Sequence, residues 1–366
     1  MANYTTMHMG GAAAHFGAAQ EREQVEQAVA WAKSQNLPVN VLGEGSNMIV
    51  GDGSVQALIL KLEIAGFMTQ PLGDGLVRVT VGGGEHWDDV VKRTVDLGLT
   101  GLETLSMIPG TTGAAPVQNA GAYGGEIADH LVDVEAYDMR DRAWVTLTAK
   151  DCDLGYRSSR FREADAGRFI ITSVRFDLRE GVPDPARYER LVKRLTADGI
   201  TQPTGQQLRD TVMALRAKVL PDPSVVPSAG SFFKNPIVDA STLQRLVHEF
   251  PEIKSFEYTP LDGHNQLHLR NSHDKVVLGQ SSAVAESSPA ESDIKLYKLA
   301  AGWLLEQCEF KGSEHFGLKI WPEHALVITN PDHRGYGDLM KLVELMQSRV
   351  DDKFGVKLEP EPLFVR

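Results

Sequence analysis

The segment GLETLSMIPGTTGAAPVQNAGAYGGEI (101–127) constrains this chain more than any other. Gly, Ala, Ser and Thr dominate it, and bulky side chains nearly vanish after Pro109. A backbone so thinly covered can lie against a flat ligand or its diphosphate, with Gln118, Asn119 and Tyr123 as donors. A loose linker fits badly, because Leu102, Leu105, Ile108 and Pro116 are interleaved as in a packed loop.

The flanking pattern is α+β. Residues 21–36 place Val25, Ala28, Val29 and Ala32 at helical spacing, and the helix should stop before Pro38. Short β-rich runs follow at 39–42, 48–50 and 56–62, separated by Gly43, Gly45, Gly51 and Gly53. A larger unit begins at Leu76: a strand (76–81), Gly82-Gly83-Gly84, then a helix with Trp87, Val90, Val91 and Val95 on one face. Strands are predicted in HLVDVEAYD, WVTLTA and FIITSVRFDL, and no βαβ repeat is sustained. Gly181, Pro183 and Pro185 mark a lobe boundary. Beyond it the spacing predicts helices over 204–219, 240–250, 296–307 and 337–350, the last with a stripe of Leu339, Leu342, Val343, Met346 and Val350. The Ser-, Ala- and acid-rich stretch 279–293 reads as a mobile surface loop.

Four further segments carry polar chemistry. In VNVLGEGSNMIV (39–50) a strand enters Gly43-Glu44-Gly45-Ser46-Asn47 and another leaves, so the loop is either a nest for a phosphate or a Gly-rich β-turn. It is not a dinucleotide fingerprint, which would open a helix. DLGYRSSRF (153–161) offers Arg157, whose fork suits a carboxylate or phosphate as well as a surface ion pair. PSAGSFFKNP (227–236) places Gly230 and Ser231 in a turn before two phenylalanines, without the GxSxG spacing of an acyl-transfer nucleophile. In LEPEPLFVR (358–366) prolines stiffen the chain around Glu359 and Glu361, in a held carboxylate or a solvated tail.

Composition closes off several classes. The 366 residues suffice for two or three domains. Cys152 and Cys308 stand too far apart for a CxxC metal knuckle, and two free thiols in a reducing compartment are expected. No metal site is expected. With 37 basic and 49 acidic side chains the net charge is −12, which disfavours nucleic acid but says nothing against a small anion in a local pocket. No run of about 18 apolar residues occurs and the N-terminus lacks a signal-peptide pattern. A cytoplasmic protein with no membrane insertion, taken as a monomer, is the expectation.

In this order and spacing, LGEGSN, the 101–127 segment, GYRSSRF, AGSFFKNP and LEPE resemble the UDP-N-acetylenolpyruvoylglucosamine reductase (UDP-N-acetylmuramate dehydrogenase) family over almost the whole chain. The resemblance implies a two-lobed FAD-binding fold of the vanillyl-alcohol-oxidase (PCMH) type plus an α+β substrate-binding domain. The expected boundaries are 1–70 and 71–200 for the lobes and 201–366 for the substrate domain, whose C-terminal segment returns to the active site. It also implies that NADPH reduces non-covalent FAD, and that reduced FAD saturates the enolpyruvyl double bond of a UDP-sugar, giving UDP-N-acetylmuramate for peptidoglycan.

Carried over residue by residue, the resemblance implies that Gly43, Gly45, Ser46 and Asn47 hold FAD together with Pro109, Gly110, Gly113, Ala114, Gln118, Asn119, Gly121, Ala122 and Tyr123. Arg157 and Glu361 would flank the substrate carboxylate and stabilise the enolate, and Ser231 would deliver the proton. An ionised Glu361 beside that carboxylate would repel the enolate, so it is expected to be protonated or locked to Arg157 during the chemical step. Tyr188 would close over the nucleotide and Asn235 would contact substrate. One departure concerns Lys218. The family reads R-x-x-K-L-P where this chain has Arg216-Ala217-Lys218-Val219-Leu220-Pro221, so a phosphate-contacting lysine is shifted by one position, about 100° around a helix. Two other readings stay open at this level: a sugar or alcohol oxidase on the same cofactor fold, and a catalytically silent flavin- or UDP-sugar-binding regulator.

Overall fold

The apolar periodicities translate into three packed units. A computed structural model describes residues 1–185, 188–260 and 295–366, so the 279–293 stretch lies outside the described residues. In the first unit the helix Arg22–Ser34 lays Val25, Val29 and Ala32 against Leu58, Leu60 and Leu62 of a parallel three-stranded sheet. Strand Val55–Leu62 is the middle of that sheet, between Ala13–Ala19 and Val39–Leu42. Ala13–Ala19 is not legible in the sequence, because its small side chains carry no alternation and only the pairing with Val55–Leu62 makes it a strand.

The second unit is antiparallel. Its sheet runs Ala143–Thr148, Leu131–Asp138, Phe169–Glu180, Leu76–Gly82, Phe67–Gly73. The last is an edge strand that tolerates Pro71. Helix Trp87–Asp96 buries Trp87, Val90 and Val91 in the core with Val79, Val81, Val174 and Phe176.

The third core gathers around the helix Tyr336–Phe354, whose Leu339, Leu342, Val343, Met346 and Val350 are fully covered. Burying each such side chain is worth about 1.5–3 kcal/mol, so the stripe anchors the unit. Beside it lie the sheet Ser228–Ser231, Val327–Thr329, Leu318–Ile320, Glu314–His315 and the small sheet Ile237–Asp239, Leu296–Leu299, Ser255–Tyr258. The helix expected over 296–307 is instead the strand Leu296–Leu299 followed by helix Ala301–Gln307. Only from Ala301 do Ala301, Leu304 and Leu305 supply a helical stripe, whereas LYKL alternates and pairs on both sides. Gly230 and Ser231 likewise belong to a strand rather than a free turn. Three steps from Ser228 to Ser231 oppose two from Thr329 to Val327, and Gly230 takes the left-handed φ of +68° at this bulge.

Chain connectivity crosses these units. Met7 and Met9 are buried in the third core, and the last strand, Leu363–Val365, pairs in parallel with Met48–Val50. Helix Gly205–Val219 packs on the second unit, where Arg209 forks onto Asp88 at 2.7 and 2.8 Å. Both cysteines are free and buried; burial pushes the Cys152 thiol up to about 12. Among the described residues no helix is long and apolar enough to cross a membrane, and no group of three or more acidic, His or Cys side chains could hold a metal ion.

Candidate active site

Two loops of small residues face each other across a cavity of ≈ 340 Å³. The first, Gly43 to Asn47, connects strands Val39–Leu42 and Met48–Val50. Gly45 is required there: its φ is +68°, and a Cβ would fall 2.0 Å from the Tyr4 carbonyl oxygen. The second loop runs through the 3₁₀ helix Thr112–Gln118. The loops are tied at both ends, since the Gly110 N–H donates to Glu44 and Asn47 Nδ2 donates to Gln118 Oε1 at 2.5 Å.

The chemistry of the walls suits FAD. Gly43, Gly110, Gly113 and Ala114 leave one side as nearly bare backbone, Trp87, Phe169 and Ile171 supply apolar surface, and Ser46, Asn47 and Gln118 add polar groups. Pro109 also lines it. Asn119 corrects the expectation of a cofactor donor. It is fully buried, and its amide is spent inside the protein on Glu126 at 2.8 Å, the Gly155 carbonyl at 3.1 Å and the Ala128 N–H at 2.9 Å. Gly121, Ala122 and Tyr123 lie beyond the lining, in a hairpin that pairs Gly121–Ala122 with Gly125–Glu126. Tyr123 and Gly124 turn it with φ of +51° and +85°, a two-residue turn with both φ positive.

That hairpin meets Arg157. The arginine has a φ of +51°, donates through Nη2 to the Gly121 carbonyl at 2.7 Å, and sets Nε 3.3 Å from Glu361 Oε1. Burial works against its charge, yet Glu361 first, then Tyr156 and Glu126, raise its basicity above the ordinary guanidinium range. Glu361 is held by backbone pairing to the strand that carries Ser231: its N–H donates to the Phe232 carbonyl at 2.8 Å, and its own carbonyl accepts from Asn47 Nδ2 at 3.3 Å. The Asn235 N–H donates to Tyr156 Oη at 3.2 Å, and Asn235 Oδ1 accepts from Ala301 N at 2.9 Å. Arg157 and Glu361, remote in sequence, are thus paired directly, while Phe232, next to Ser231, bonds Glu361 and Asn235 bonds Tyr156, next to Arg157.

Tyr188 packs edge-to-face on Tyr123 with ring centroids 5.1 Å apart. The turn that carries Lys218 leaves that lysine exposed, while Arg216 is largely covered, acts electrostatically on Tyr123, and has a buried Nε without a hydrogen-bond partner among the described residues. Burial lowers its basicity. Sequence reasoning missed Arg216, Glu126, Tyr156, Tyr258 and Lys298. The Lys298 ammonium lies 4.5 Å from the Tyr156 ring centroid and 5.2 Å from that of Tyr258, and burial lowers its pKa. Its signal was the strand alternation of LYKL, read as helix.

Comparison with known proteins places the chain in a family. An FAD binding domain family matches residues 13–147, and the C-terminal domain of UDP-N-acetylenolpyruvoylglucosamine reductase matches residues 222–365. A protein of Ralstonia nicotianae with that enzyme's name is 39% identical over 96% of this chain and 93% of its own. The chain belongs to the UDP-N-acetylenolpyruvoylglucosamine reductase family. A second relative of that name, from Chromobacterium violaceum, is 36% identical over 99% of this chain and 96% of its own. The crystal structure of the UDP-N-acetylenolpyruvylglucosamine reductase (MurB) from Thermus caldophilus has the same fold, with a TM-score of 0.62, 24% identity, and coverage of 100% of this chain and 97% of that one. The chain is therefore a reductase-family protein with an FAD-binding domain and mixed α and β content throughout.

Proposed function

We propose that this protein reduces the enolpyruvyl group of UDP-N-acetylglucosamine enolpyruvate to UDP-N-acetylmuramate, with NADPH as reductant. The observation that carries the reading is the meeting of Arg157 and Glu361 with the Ser231 strand beside the cavity of small residues. With NADPH as the source of the hydride that reaches the terminal alkene carbon, the redox group at this site would be FAD. The loops Gly43 to Asn47 and Pro109 to Gln118 would hold it. Non-covalent binding is supported by the absence of His and Cys from the cavity lining among the described residues.

The protein's own residues handle the charge. Arg157 binds the substrate carboxylate and stabilises the enolate that forms as hydride arrives, because a fixed cation is worth most where charge develops. Glu361, against the other edge of the guanidinium, keeps it oriented. Ser231 delivers a proton to the carbon bearing the carboxylate; a neutral hydroxyl suffices because the enolate is strongly basic. Asn235 and Tyr188 contact the UDP-sugar, and the cations Arg157, Arg216 and Lys298 offset locally the chain's −12 charge for an anionic ligand. The division into lobes 1–70 and 71–200 and a substrate domain 201–366 is supported by the main hydrophobic cores of the described residues, with exchanges: Met7, Met9 and Ile49 go to the third core, Tyr137 and Ile170 to the first, and helix Gly205–Val219 to the second unit. We take the protein to be cytoplasmic and monomeric.

Ser231→Ala tests the reading. NADPH should still bleach the flavin in a single turnover, while substrate-dependent turnover falls about 10²–10⁴-fold, the usual worth of a positioned general acid. Wild-type protein that binds flavin but shows no substrate-dependent NADPH oxidation would establish the silent regulator instead.

A further inference from the structure

Glu126 borders the enolate site, and no step above uses it. The hairpin pairs Gly121 with Glu126, and a Cβ on Gly121 would lie 2.8 Å from Glu126 Cγ and 3.2 Å from Arg157 Nη1. The carboxylate and the guanidinium therefore flank one bare patch of backbone. Asn119, locked in a left-handed conformation with φ +45°, donates to Glu126 and to the Gly155 carbonyl, two residues before Arg157. One saturated amide thus fixes both Glu126 and the loop that presents the arginine.

The charges around this point are close to balanced. Burial pushes the Glu126 carboxyl above its ordinary range, while Arg157, Lys298 and the bond from Asn119 pull it back. Arg157 also has Glu361 at 3.3 Å. Arg157 and Lys298 thus act on Glu126, with Glu361 on Arg157, Asp129 on Glu126, and Arg216 and Arg162 at the margins, before an incoming carboxylate adds a further anion.

We propose that Glu126 is a positioning residue that sets the affinity of the site for the ligand carboxylate. It holds Arg157 through Asn119, and it offsets the combined pull of Arg157 and Lys298 so that the product acid can leave. This rests on the proposed enolpyruvyl reduction. A neutral residue of the same shape would make the site more cationic by one charge, and at the effective screening of a protein interior that is worth about tenfold in carboxylate affinity.

The test compares two ligands on flavin-loaded protein, UDP-N-acetylmuramate, which carries the carboxylate, and UDP-N-acetylglucosamine, which lacks it. Glu126→Gln keeps an acceptor for Asn119 and removes the charge. It should tighten UDP-N-acetylmuramate about tenfold, leave UDP-N-acetylglucosamine unchanged, and lower both KM and kcat as product release slows. Glu126→Asp keeps the charge and withdraws it from Asn119; it should leave the ratio of the two dissociation constants unchanged while kcat falls. Equal changes for both ligands in the glutamine variant, no change for either, or an altered ratio in the aspartate variant would overturn the assignment. If wild-type protein bound neither ligand, the proposed substrate itself would be wrong, which is a separate failure.

Discussion

Arg168 and Arg157 are covered to nearly the same degree, with 18% and 20% of their side chains exposed, yet they are built for opposite purposes. Arg168 spends its whole fork on carboxylates. It contacts both oxygens of Asp138 at 2.5 to 3.1 Å, and Asp165 and Asp141 at 3.0 Å. Arg157 has a single carboxylate at 3.3 Å, one carbonyl at 2.7 Å, and a left-handed backbone that a β-substituted residue adopts only at a cost. A guanidinium that closes every bond within the protein contributes to stability. One held in place with donors to spare suits the role proposed for Arg157, receiving a carboxylate that arrives from outside.

The largest consequence of that contrast concerns Arg157→Lys. A lysine keeps the charge but loses the planar fork that reaches Gly121, Glu361 and a ligand carboxylate together. We expect kcat/KM to fall about 10³-fold, the range found when a preorganised group meeting developing charge is removed, with little change in Tm. A loss under tenfold in steady-state assays would break the contrast, because Arg157 would then be one more structural ion pair.

Asp138→Asn should do the reverse, lowering Tm by about 5 °C and leaving kcat/KM within twofold. The pH dependence has a definite sign. Hydrogen bonds from Arg168 first hold the Asp138 carboxyl down from 3.8 to about 2 in the folded protein. Its contribution is therefore complete above about pH 4 and is lost as pH falls through about 2. Thermal melts of both proteins should show the Tm gap closing over that window. A gap that persisted at pH 2 would mean that the asparagine acts through packing rather than charge.

The sequence carried the regular elements better than the strained ones. The helix stripes at Val25 to Ala32 and Leu339 to Val350 are periodic because each has one buried face, and both are found where spacing placed them. Asn119, Tyr123 and Arg157 adopt left-handed φ values that only tertiary contacts enforce, so nothing local foretells their geometry. The small-residue loops were legible as a class, since bare backbone lining a cavity leaves a compositional trace. Which side chains of those loops face the cavity was not, and Asn119 turned out to serve the protein interior. Lys298 escaped notice because four residues of alternation beside a real helix are too short to separate from it.

The smallest expected effect sharpens the same distinction within one helical turn. Arg216 keeps a buried Nε without a partner among the described residues, and it stands beside Tyr123, which packs on Tyr188, where the nucleotide end of the ligand is proposed to lie. Lys218, two residues on, is exposed. Arg216→Gln should raise KM for the UDP-sugar about tenfold, the worth of one charge-assisted hydrogen bond to a phosphate. Lys218→Ala should stay within twofold in KM and kcat, because a fully hydrated ammonium gives up little when its charge is screened by solvent. A tenfold rise in KM for Lys218→Ala with none for Arg216→Gln would place the phosphate contact on the solvent side of this turn, and unspent buried donors would no longer identify the cations that receive the ligand.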